Sequence, residues 1–154
     1  MEKVKNLRTL VSLSELLIDR NQGYLKCIDD ADTADVDLIR FFKEMADQSM
    51  RFKVELDAFL IKYSEEPAEF ENSWLAKMHQ AWIDIKTSLV KRDRKALIES
   101  CNFGDDVIIG AYEQALEDTE FFDAKIQETL RSHLVEFKKA NALLEKLENL
   151  EEAK

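Results

Sequence analysis

Two histidines and two cysteines are the residues from which metal or thiol chemistry would have to start. A di-metal centre inside a helical bundle takes a Glu-x-x-His pair from each of two helices, because residues three apart present both ligands to one point. Three residues before His79 and His133 stand Ala76 and Leu130, so that constellation cannot be built. Cys27 and Cys101 have no Cys-x-x-Cys spacing; each falls on an apolar helical stripe and reads as a buried free thiol. His79, one position off the Trp74, Met78, Trp82 stripe, reads as a polar contact rather than a catalytic group. No glycine-rich phosphate loop is present, and no spacing suggests a serine, histidine and acid cluster.

The elements that would position these residues are long helices. Only three glycines and one proline interrupt 154 residues. Apolar periodicity predicts helices over about 4–30, 34–63, 94–116 and 122–150, with a shorter one over about 73–90. "DDADTAD" breaks the first from the second, where Asp32 or Thr33 can cap, and Pro67 closes the second. Short links make the first two helices antiparallel neighbours, and likewise the last two. About thirty residues separate the two hairpins, enough to travel the length of a bundle. The expectation is an all-α, single-domain chain over 1–154. It is a ferritin-like four-helix bundle with a long crossover that carries a short extra helix; a simple up-down bundle with a fifth helix at one end is the alternative.

Polar residues interrupt the inward stripes. With ~1.5 Å of rise per residue, Asn21 and Asp105 come to one level, with His133 a turn lower and Glu44 beside the layer. A hydrogen-bonded core network is the plain reading of Asn21, Asp105 and His133, since buried polar groups need partners. A weak metal or ligand site that includes Glu44 is the alternative. Asp105 belongs to "CNFGDD", which puts a glycine in the middle of a helix at roughly 1 kcal/mol. Gly104 is expected to admit a close neighbour, with Trp74 or Trp82 of the crossover as candidates.

The stretches "LSELLIDRNQGYLKC", "MADQSMRFKVEL", "MHQAWIDIKTSL" and "ALIESCNFGDDVIIGAYEQAL" resemble an uncharacterised bacterial ferritin-like four-helix-bundle family, a domain of unknown function. The resemblance implies a fold and no established reaction. It also implies acids where Asn21 and Asn102 stand, a glutamate at Asp105, and glutamine and His-Asp at His133, Asn141 and Ala142. Amides are poor ligands for transition metals, so a metal site in relatives would be lost or altered here.

A net charge of −10 disfavours nucleic acid and anionic membrane surfaces as partners. No apolar run reaches the ~18 residues of a membrane span, and the N-terminus lacks signal-peptide features. The sequence therefore predicts a cytoplasmic protein, leaning away from an enzyme, that acts through a protein partner or as a homo-oligomer. No cofactor is expected. The alternative is a degenerate or altered metal-binding or oxidoreductase bundle holding iron or manganese.

Overall fold

The computed structural model describes residues 2–63, 93–117 and 123–153. Among these there are four helices and no strand: α1 (Glu2–Asp30), α2 (Val36–Tyr63), α3 (Arg94–Glu117) and α4 (Ala124–Glu152). The expected boundaries are matched within about two residues. The short helix expected at 73–90, with Trp74, His79 and Trp82, lies outside the described residues, as does Pro67.

Aspartates cap α3 and α4. Asp93 accepts the Ala96 N–H at 2.8 Å, and Asp123 accepts that of Ile126 at 2.8 Å, each satisfying a donor that an α-helix leaves open. Between α1 and α2, Asp32 accepts from Ala34 N at 2.9 Å while its carbonyl accepts from Asp35 N, so Asp32 shapes the turn and α2 begins later.

Helix directions follow from contacts at the ends. Arg94, which opens α3, pairs with Asp35 and Asp37 at the start of α2 and with Glu151 at the end of α4. Tyr63, which ends α2, donates to Asp123 just before α4. Thus α2 and α3 run the same way, with Tyr63 and Arg94 at opposite ends of the bundle. Each of the pairs α1/α2 and α3/α4 is antiparallel.

Two apolar clusters fill the core. Leu10, Leu13, Leu17, Phe52, Leu56, Ile108, Tyr112, Leu130 and Phe137 belong to the one nearer the start of α1. Tyr24, Cys27, Leu38, Phe42, Leu97, Ile98, Cys101 and Leu144 belong to the one nearer its end. Between them runs a layer of buried polar side chains: Arg20 from α1, Gln48 and Ser49 from α2, and Asp105 from α3. Leu25 is 47% exposed, because Tyr24, one residue earlier, takes the inward position.

Candidate functional site

The polar layer is built around Arg20, whose side chain has no solvent exposure. It continues the inward series Leu10, Leu13, Leu17, Arg20, Tyr24, Cys27 at steps of three and four. Its Nε donates to Asp105 Oδ1 at 3.0 Å and its Nη2 to Asp105 Oδ2 at 3.3 Å, a two-pronged pair between α1 and α3. Nη1 donates to Gln48 Oε1 and Ser49 Oγ, both at 2.9 Å, and Nη2 lies 3.4 Å from Met45 Sδ. Every one of the guanidinium's N–H groups therefore has an acceptor. The Tyr24 and Phe137 rings lie 5.1 and 4.7 Å from its Cζ, so aromatic faces add to the cation's environment. Tyr24 donates its hydroxyl to Asp105 Oδ2 at 2.9 Å.

Burial acts to lower the Arg20 pKa, but the Asp105 charge and hydrogen bond more than offset it, and the net shift is upward. Burial and then the Asp105 charge push the Tyr24 hydroxyl well above its usual range, so it remains a donor. The layer is thus a closed cation–carboxylate pair with a neutral phenol attached.

His133 forms a second network one turn away, as the register predicts. Its ring stacks on Phe52, with centroids 3.8 Å apart and planes 6° apart. Nδ1 lies 3.0 Å from Tyr112 Oη, and Nε2 lies 2.5 Å from Glu55 Oε2. A carboxylate only accepts, so Nε2 carries the proton and Nδ1 accepts from Tyr112. Burial lowers the His133 pKa, and Glu55 only partly reverses this. Burial likewise raises the Tyr112 pKa. Glu55 also borders an open groove of about 530 Å³ between α2 and α4, lined by Phe59, Lys125, Glu128 and Ser132 among others.

Asp105 and His133 are therefore both interior, but they do not share a network. Asn21 turns to the α1–α2 seam, half-buried, and donates to the Ala46 carbonyl at 2.9 Å. This corrects the expectation that Asn21 or His133 serves Asp105: the inward position belongs to Arg20, one residue and about 100° away. Glu44 is exposed and stands outside the layer; its neighbours Met45, Gln48 and Ser49 supply α2's share. Asn141 bridges Asn102 and Asp106 on the α3–α4 seam, at 2.5 and 2.9 Å. Gly104 is buried, as is Gly23 of α1. The Cys27–Cys101 and Arg20–Asp105 contacts set a register that brings the two glycines to one level on facing helices.

Sequence reasoning missed Arg20. The helical spacing carried the signal, but arginine is seldom fully buried, and that habit outweighed it. Among the described residues, Glu99, Glu148 and Glu152 form a surface grouping with carboxylates within 4.8 Å of one another. That grouping includes none of Asn21, Glu44, Asp105 or His133.

Residues 5–118 match the family model described as Domain of unknown function (DUF2383). The chain belongs to this family. The matched span holds Arg20, Tyr24, Ser49 and Asp105, and both cysteines; it stops before α4, so His133 and Asn141 stand outside it. No curated protein and no solved structure matches the chain. Among the described residues of this DUF2383 protein, no helix is long and apolar enough to cross a membrane.

Proposed function

We propose that this DUF2383 protein is a non-catalytic, ferritin-like bundle that works through its surface, by binding a protein partner or a second copy of itself, in the cytoplasm. One observation carries the reading. Asp105, the interior carboxylate best placed to ligate a metal, has both oxygens engaged by Arg20 and Tyr24. The guanidinium supplies from within the chain the positive charge that a metal ion would bring. The parallel course of α2 and α3 supports the ferritin-like connectivity, because such folds carry one long crossover.

The surface offers an apolar stripe on α2. Met50, Val54 and Ile61 share one face at 40%, 64% and 82% exposure. Light scattering on the purified chain tests self-association. A dimer or larger assembly that dissociates in a Val54→Lys, Ile61→Lys variant supports it. A chain that is monomeric over the accessible concentration range removes self-association and leaves a different protein as the partner.

The altered metal-binding bundle is the second reading. It would draw on Glu55 and His133, which among the described residues join an interior imidazole to a half-exposed carboxylate.

A further inference from the structure

The sequence places the two cysteines on separate apolar stripes, and the fold brings them together. Cys27 of α1 and Cys101 of α3 are 74 residues apart in sequence, and their sulfurs lie 3.2 Å from each other. They are the chain's full complement of cysteine. Both are buried, at 1% and 0% exposure. A disulfide needs sulfurs at ~2.05 Å, so the remaining approach is small.

We propose that Cys27 and Cys101 form an intramolecular disulfide, made by exchange with a low-molecular-weight disulfide. The pair would staple α1 of the first hairpin to α3 of the second. Among the described residues the hairpins are otherwise joined by non-covalent contacts: side-chain packing, the polar layer one turn away, and the Arg94, Tyr63 and His133 links to Asp37, Asp123 and Glu55.

The order of events follows from position. Cys27 lies three residues before Asp30, the last residue of α1, and helix ends open locally at less cost than helix centres. Cys101 lies a full turn and more inside α3. Burial, followed by the hydrogen bond to Cys27, raises the Cys101 pKa well above the ordinary thiol value, and burial of both sulfurs keeps an oxidant away while the pair is closed. On opening, the Cys27 thiolate attacks one sulfur of the small disulfide and expels the other half as a thiolate. Cys101, losing its proton to solvent, then attacks the Cys27 sulfur and expels the second half. The protein thiols lose two electrons and two protons, and the small disulfide is reduced to two thiols.

The test uses the full-length reduced chain and glutathione disulfide as the oxidant. After incubation under native conditions, the sample is quenched in acid, alkylated in denaturant and weighed. The expected product is monomeric, carries no alkyl group, weighs two hydrogens less than the reduced chain, and yields linked Cys27 and Cys101 peptides. Its thermal midpoint should rise by ~5–15 °C, because the cross-link restricts the unfolded chain across a long loop. Cys101→Ala should instead retain one glutathione, on Cys27, since the resolving thiol is gone. Two alkylated thiols in the treated parent, or a glutathione adduct that persists on it, would overturn the proposal.

Discussion

Arg20 and Asp105 stand 85 residues apart in sequence and close a two-pronged ion pair with neither side chain exposed. The pair divides the core into two apolar clusters and joins the two hairpins of the bundle. A buried ion pair gives little net stability compared with apolar packing, but removing one member leaves an uncompensated charge. Replacing Asp105 with Ala should therefore destabilise the protein by ~3–5 kcal/mol in denaturant unfolding. The double variant Arg20→Met, Asp105→Leu should lose much less than either single variant. Equal losses in single and double variants would show that Arg20 does not depend on Asp105.

Gly104 should be intolerant of bulk. The α1–α3 register puts it level with Gly23, where both backbones are buried. Gly104→Leu should overpack this buried position and cost ~1–3 kcal/mol in a thermal or urea melt. An unchanged midpoint would mean that the glycine has room around it.

Acidification should weaken the fold through His133. Its folded pKa is lowered, chiefly by burial, so between that value and the unfolded value near 6.5 the unfolded chain binds more protons. The contribution of neutral His133 is complete above about pH 6.5 and is lost as the pH falls below it. A stability profile from pH 8 to 5 checks this, and His133→Phe should flatten that part of the slope.

A second acid step belongs to the Arg94 clamp. Its hydrogen bond to Asp37 holds that carboxyl at about 2. The Asp37 contribution is present above the ordinary carboxylate pKa and is lost as the pH drops from about 4 towards about 2. The Asp37 side chain is 60% exposed, so water screens the pair and the effect should be small. Arg94→Ala should move the Asp37 titration, followed by carbon-detected NMR, back towards the usual carboxylate range. An unmoved titration would separate Asp37 from Arg94.

The sequence made the helices legible because so few breakers interrupt long apolar periods, and each link left a clear polar gap. It made Asp105 and His133 legible as interior residues because each lies on an apolar stripe. The partner of Asp105 was not legible. Asn21 and Arg20 are adjacent in sequence and differ by about 100° around the helix, so a small error in the placement of the stripe exchanges them. The Cys27–Cys101 contact was hidden for another reason: the stripes showed both residues facing inward, but their meeting depends on the register between α1 and α3, which only tertiary structure fixes.

We propose that the Arg20 guanidinium, paired with both Asp105 oxygens, leaves that carboxylate unable to hold a metal ion. Elemental analysis of protein purified without a histidine tag tests it most directly. Iron and manganese should be far below one per chain, both in the parent and in Asp105→Ala. About one metal per chain in the parent, lost in Asp105→Ala, would contradict it.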